Sequence, residues 1–191
     1  MKRKTLNAAM FAALIGAGLP QLASAQEMSY SFIEGGASWL DLDGVSGTET
    51  GFNVRASADL AGGFYLQGAW DSWDVDVGFF DVDADLYRIG AGYRHSLQQG
   101  TDLFFEASYA VFEVGSNDDD GFRTDIGVRH AIGERTEGRI YGGYQGDGSE
   151  GDLLVGADLL FKFNDMVGLS AGVETFEFDT NVFRTNLRVS F

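Results

Sequence analysis

From Tyr30 to Phe191 the chain alternates between apolar and polar residues with a period of two. Gly51–Leu60 places Phe52, Val54, Ala56, Ala58 and Leu60 on one face and Asn53, Arg55, Ser57 and Asp59 on the other. Thr101–Phe112, Asp152–Phe163 and Val167–Phe178 repeat the pattern. Such alternation marks strands with one apolar and one polar face. It predicts ten strands, near residues 30–42, 51–60, 64–73, 85–96, 101–112, 122–131, 137–146, 152–163, 167–177 and 181–191. Each is long enough to cross a bilayer as a tilted strand. Merging the weaker segments gives eight as the alternative count.

The predicted joints alternate in kind. Ala61–Gly63, Leu97–Gly100, Ile132–Arg135 and Asn164–Met166 are short turns. Asp43–Thr50, Asp74–Ala84, Glu113–Gly121, Asp147–Gly151 and Phe178–Thr180 mostly run longer and are acidic. Short turns on one side and longer loops on the other are the asymmetry of an outer-membrane barrel. Aromatics on the apolar face near strand ends fit an interfacial girdle: Trp39, Phe64, Trp70, Tyr87, Tyr93, Tyr109, Tyr144, Phe161, Phe183 and Phe191. A soluble two-sheet sandwich is the competing architecture, but its water-facing side could be lysine-rich. Here Lys162 is the only lysine after residue 4. The expected fold is therefore all-β, a transmembrane antiparallel barrel.

Residues 1–25 read as a secretory signal peptide. Lys2, Arg3 and Lys4 precede an apolar run from Ala8 to Leu19, Pro20 breaks it, and Ala23-Ser24-Ala25 supplies a small-residue cleavage pattern. Cleavage before Gln26 leaves residues 26–191 as one barrel domain. The single proline of the chain falls in the leader, so every later residue keeps its backbone donor, as a lipid-embedded sheet requires. The leader also removes three of the 13 basic residues and none of the 29 acids. A balance that acidic excludes a general nucleic-acid binder. There is no cysteine, hence no disulfide, thiolate metal site or cysteine nucleophile.

Charge placement follows the alternation. Arg55, Arg88, Arg94, Arg123, Arg129, Arg139, Lys162, Arg184 and Arg188 share the phase opposite the apolar face, and only Arg135, in a turn, does not. Glu34, Asp59, Asp71, Asp102, Glu106, Asp125, Asp158 and Glu174 are the acids of that phase. A lipid-facing charge costs a few kcal/mol at the midplane, whereas an inward one can pair. These side chains are thus expected to form a paired lattice that fills the lumen.

Most other acids crowd the longer connections: Asp41, Asp43, Glu49, Asp74, Asp76, Asp81, Asp83, Asp85, Glu113, Asp118, Asp119, Asp120, Asp147, Glu150, Asp152, Glu177 and Asp179. The plain expectation is a solvated, repulsive cell-surface face. The sharper one is weak Ca²⁺ or Mg²⁺ binding by Asp74, Asp76, Asp81, Asp83, Asp85, Asp118, Asp119 and Asp120, with the ions bridging to lipopolysaccharide phosphates. Asp81–Asp85 opens like a calcium loop, yet Leu86 stands where glycine is needed and the twelfth position is Gly92. No other cofactor is implied. His95 and His130 fall at strand ends beside short turns in the outward phase, and Ser46 and Ser149 have no histidine partner. Nucleophilic catalysis is therefore not expected.

Two stretches carry a resemblance. Phe183–Phe191 alternates and ends in phenylalanine, and so resembles the terminal strand that the barrel-assembly machinery reads, with Phe191 as the signal. Ala25–Gly36 is similar, over about a dozen residues, to the opening of a small barrel family named as the supposed activator of a rice immune receptor. That resemblance implies an association with the outer membrane, its vesicles and quorum sensing. OmpX/OmpA-type barrels are the broader relatives. The expectation is a monomeric barrel in the outer membrane of a Gram-negative bacterium, in contact with lipid and lipopolysaccharide, with a structural or surface-interaction role linked to quorum sensing or virulence. A narrow channel is the alternative, and a membrane-embedded enzyme the weaker one.

Overall fold

The computed structural model describes residues 28–42, 47–77, 80–115, 117–147 and 151–191, with backbone alone at 76, 77, 80 and 81. The expected signal peptide, Asp43, Ser46, Ser149 and Glu150 lie outside the described residues, as do the side chains of Asp76 and Asp81. Ten antiparallel strands close into a barrel: β1 (Phe32–Asp41), β2 (Glu49–Asp59), β3 (Phe64–Val77), β4 (Phe80–Gln98), β5 (Thr101–Val114), β6 (Asn117–Ala131), β7 (Thr136–Gly146), β8 (Gly151–Lys162), β9 (Val167–Phe176) and β10 (Thr180–Ser190). Each strand pairs with its chain neighbours, and β10 returns to β1 from Phe32↔Ser190 to Asp41↔Asn181. Ten strands, not eight, is the count, and closure leaves no unpaired edge.

Four tight connections gather at one end. Leu60 N–H donates to the Phe64 carbonyl (2.7 Å), Ala131 to Gly100 (2.8 Å) and Phe163 to Val167 (2.9 Å). By the usual asymmetry this end is periplasmic.

The opposite end corrects the sequence-based expectation. Residues 74–84 and 113–121, expected as loops, are mostly strand. β3 runs to Val77 and β4 restarts at Phe80, while β5 reaches Val114 and β6 begins at Asn117. Val75, Val77 and Val82 keep the period of two and favour extended backbone, so pairing continues through Asp74↔Asp83 despite like charge. The protein therefore raises two tall acidic hairpins above the bilayer, not floppy loops.

The outward face of β4 shows the lipid boundary. Between Asp85 and His95 it carries only Tyr87, Ile89, Ala91 and Tyr93. About ten residue steps of roughly 3.4 Å, tilted by ~40°, rise roughly 26 Å, the height of an outer-membrane apolar band. Aromatic pairs flank it: Phe64–Tyr93 (4.9 Å between centroids) below, Phe52–Trp70 (4.8 Å) and Tyr109–Phe122 (5.7 Å) above.

Candidate functional site

The lumen is the site, and it is filled in tiers. At the periplasmic mouth the segment before β1 folds inward. The Tyr30 ring lies between the guanidiniums of Arg94 (4.4 Å) and Arg129 (4.5 Å), against Tyr65 (5.0 Å). Its hydroxyl donates to Asp102 (3.1 Å), and Arg129 donates to the Ser29 carbonyl (2.9 Å). Met28 is buried beside them. Arg129 and Lys162 converge on Glu137. Arg94 pairs with Asp59 (2.8 Å) at the open rim.

Above this tier lie two three-member groups. Glu34 on β1 receives Arg188 from β10 (2.6 Å) and Arg55 from β2 (3.7 Å), and also accepts from the Ser170 hydroxyl (3.1 Å). Arg139 on β7 reaches Glu106 on β5 (2.7 Å) and Asp158 on β8 (3.5 Å). Tyr65 also donates to Glu106 (2.7 Å), and the Arg139 guanidinium stacks on Phe104 (4.4 Å) and Tyr141 (4.6 Å).

Next comes an alternating chain of charges across the lumen. Arg88 on β4 pairs with Asp71 on β3 (2.8 Å), and Asp71 takes Arg184 from β10 (2.7 Å). Arg184 faces Glu174 on β9 (3.6 Å), which receives a forked pair from Arg123 on β6 (3.1 and 2.5 Å). Arg123 also holds Asp125 (2.8 Å). Three guanidiniums and three carboxylates thus balance along chords joining strands that are not neighbours, β3 to β10 and β6 to β9. Asp71 and Glu174 are fully buried, and arginine's planar fork suits such bridging.

Sequence reasoning missed part of this lining. Glu137 shares the inward phase of Arg139, two residues on, and that parity could have found it. The inward aromatics Tyr65, Trp73, Phe104 and Tyr141 break the polar-inside rule for a common reason. Each stands directly opposite a glycine, in the pairs Tyr65↔Gly92, Trp73↔Gly51, Phe104↔Gly127 and Tyr141↔Gly156. A Cβ at Gly92 or Gly156 would overlap the tyrosine ring, so the glycine makes the socket in which the ring lies across the strand.

Towards the outer end the lining turns apolar. Leu40, Trp73, Leu86, Ala110 and Val182 pack into a buried cluster, extended by Leu42, Val75 and Phe176. The void among the charged tiers below it is only about 110 Å³.

The acids outside the lumen do not converge. Leu86 and Ala84 face inward, so Asp83 and Asp85 project outward along one straight strand, unlike ligands wrapped by a loop. Asp119, opposite Phe112, takes the other face from Asp118 and Asp120. Among the described residues no three His, Cys, Asp or Glu side chains are placed to hold a metal ion. Instead Asp85 accepts from Trp70 Nε1 (2.9 Å) and Asp120 from the Tyr109 hydroxyl (2.8 Å), so the girdle's polar tips reach an acidic row. Asp85, Glu113 and Asp118 stand directly across from one another on β4, β5 and β6. Directly opposed like charges each cost roughly 0.2–1 kcal/mol. Glu113→Gln is therefore expected to raise the thermal midpoint at low ionic strength, with the gain shrinking in 0.5 M salt. A lower midpoint would mean that this row is held by something other than its own backbone.

His95 and His130 sit next to the periplasmic turns, on the outward phase. His130 Nδ1 shares a proton with the Thr101 hydroxyl (2.8 Å). The acidic hairpins are at the other end of the barrel.

A closed, girdled ten-stranded barrel with an apolar outer band and a charged, filled interior defines an integral outer-membrane β-barrel of Gram-negative type. No protein-family model matches the chain, and no curated protein matches it by sequence. Among solved structures it is similar to the KdgM porin in complex with disordered oligogalacturonate, with a TM-score of 0.54 and 12% identity over 84% of this chain and 99% of that one. Neisserial surface protein A also matches (TM-score 0.42, 14% identity, 87% of this chain and 100% of that one). So does Ail, the attachment invasion locus protein of Yersinia pestis (0.37, 16%, 86% and 98%). At these identities the likeness is one of fold.

Proposed function

We propose that the protein is a sealed outer-membrane barrel that displays an acidic hairpin face at the cell surface, with a structural and surface-interaction role and no catalytic one. The observation that carries this reading is the chain Arg88–Asp71–Arg184–Glu174–Arg123–Asp125, which crosses the lumen between non-neighbouring strands. Opening a path there means separating buried charges at several kcal/mol each. The acidic face meets lipopolysaccharide, and divalent cations bridging its carboxylates to lipid phosphates would relieve their mutual repulsion. Calorimetric binding of Mg²⁺ at millimolar levels supports that bridge, and its absence leaves a purely solvated face. A quorum-sensing or virulence role, implied by the resemblance at Ala25–Gly36, would act through the outer hairpins, because Met28 and Tyr30 are buried in the periplasmic mouth.

The second reading is a narrow channel, favoured by the fold shared with the KdgM porin. Planar-bilayer recording decides between them. The expected result is no steady current from the wild-type protein and intermittent current from Asp71→Ala. Steady porin-like current from the wild type would put the channel first.

A further inference from the structure

Above the alternating charge chain the lumen widens into a vestibule of about 490 Å³. One wall is apolar, built by Leu40, Trp73, Leu86, Ala110 and Val182. At the foot of that wall runs a row of inward positions joined by direct strand pairing. Trp73 on β3 stands opposite Gly51 on β2, Gly51 opposite Ser38 on β1, and Ser38 opposite Arg184 on β10. A Cβ at Gly51 would lie 2.7 Å from Trp73 Cδ1, so the indole lays its Cδ1–Nε1 edge against β2.

Three polar atoms of this row have no hydrogen-bond partner among the described residues: Trp73 Nε1, Ser38 Oγ and Arg184 Nη2. Each of these residues is at most 4% exposed. Buried polar groups are nearly always paired, because leaving a donor unmatched is costly. Indole and guanidinium nitrogens only donate, and a hydroxyl can do so. The row therefore calls for an acceptor. Its charge is set by the surroundings. Arg184 is already held by Asp71 (2.7 Å) and faces Glu174 (3.6 Å), so its positive charge is answered within the protein. Asp119, Asp147 and Asp152 line the way in, and an incoming anion meets like charge there. Gln145 Oε1, on that acidic side, is buried without a donor, but an amide offers an acceptor or donors as it turns and selects neither.

We propose that the vestibule binds a small neutral carbonyl compound with an aliphatic tail, of the alkyl ketone type, a role beyond the sealed-barrel reading and independent of it. A cavity of this size, mostly apolar with a few polar groups, is in the range of small-molecule sites. The tail lies along Leu40, Leu86, Ala110 and Val182. The carbonyl oxygen parts Leu40 and Val182, which stand one inward position outside Ser38 and Arg184. It accepts from Trp73 Nε1 and Ser38 Oγ, which flank the bare backbone of Gly51. The Arg184 guanidinium, next in the row, favours the partial negative charge on that oxygen.

Isothermal titration calorimetry of the signal-cleaved barrel in detergent micelles, with protein-free micelles as blank, tests this with three probes. These are 2-nonanone, its isostere 2-methyl-1-nonene, in which a methylene replaces the oxygen, and the anion nonanoate. The ketone is expected to bind saturably at one site, at least tenfold tighter than the alkene and tighter than nonanoate, with little dependence on salt. In the barrel labelled with ¹⁵N-tryptophan, the indole proton signal that Trp73→Phe removes should move downfield as the ketone saturates. Trp73→Phe combined with Ser38→Ala should bring the ketone down to the alkene's affinity, and Ala110→Phe, which fills the apolar wall, should weaken both. Heat-modifiability on gels checks that each variant is folded, and the three-probe comparison on the wild type decides the matter if a variant does not fold. Equal or tighter binding of the alkene, tighter binding of nonanoate, a Trp73 indole signal unmoved at saturation, or uptake by micelles alone would each overturn the proposal.

Discussion

Glu174→Ala is expected to destabilise the barrel by about 3–5 kcal/mol, the cost of removing one partner from a buried ion pair. Glu174 is 1% exposed and accepts from Arg123 twice and from the Tyr141 hydroxyl (2.8 Å), with Arg184 at 3.6 Å. Its loss leaves two buried guanidiniums without that carboxylate. Urea unfolding in lipid vesicles, followed by tryptophan emission, measures the change. Asp59→Asn is the matched control, because Asp59 and Arg94 are 33% and 25% exposed at the rim. An exposed pair contributes under about 1 kcal/mol. Equal losses in the two variants would show that burial of the chain across the lumen is not what stabilises it.

Deleting Phe191 is expected to separate assembly from stability. Its side chain is 70% exposed, and its main structural tie is the backbone N–H donated to the Ser31 carbonyl (3.0 Å). The ten registered pairs of β10 with β1 end at Ser190. The folded deletion variant should therefore unfold within about 0.5 kcal/mol of wild type, as for a surface change. Its yield in the outer membrane should fall several-fold, with protease-sensitive chain left in the periplasm, as the resemblance of Phe183–Phe191 to a terminal strand read by the assembly machinery implies. Normal yield of heat-modifiable barrel would remove that role.

Strand phase was legible because burial on one side of a pleated strand has a period of two. Arg55, Arg88, Arg123, Arg139, Arg184 and Arg188 all line the lumen, as their parity requires. Which carboxylate each would meet was not legible. Arg184 finds Asp71 and Arg123 finds Glu174 across the barrel, and those chords depend on stagger and diameter, which no local pattern encodes. Glu106 reaches Arg139 two strands away for the same reason, whereas Asp158 is Arg139's direct cross-strand neighbour. The tall hairpins were misread because aspartate signals turns. Yet Asp74-Val75-Asp76-Val77 keeps strict alternation, and β-branched residues on one face outweighed repulsion on the other. Inward aromatics were hidden because a tyrosine and its glycine socket lie on different strands, joined only by register.

The barrel's seam has a consequence in time. Ser29 Oγ lies 3.4 Å from the carbonyl oxygen of Phe191, a residue 162 positions away, and β1 pairs only with β2 until β10 arrives. Every other strand can zip to its predecessor as a local hairpin, but this last pairing has to bring the two ends of the chain together. Loop-closure entropy is then largest for the contact that completes the structure. Until β10 pairs with β1, both strands present an open edge, so intermediates depend on a catalyst or chaperone until the ends meet. Maturation should behave as a single late commitment, with half-built barrels absent from the membrane.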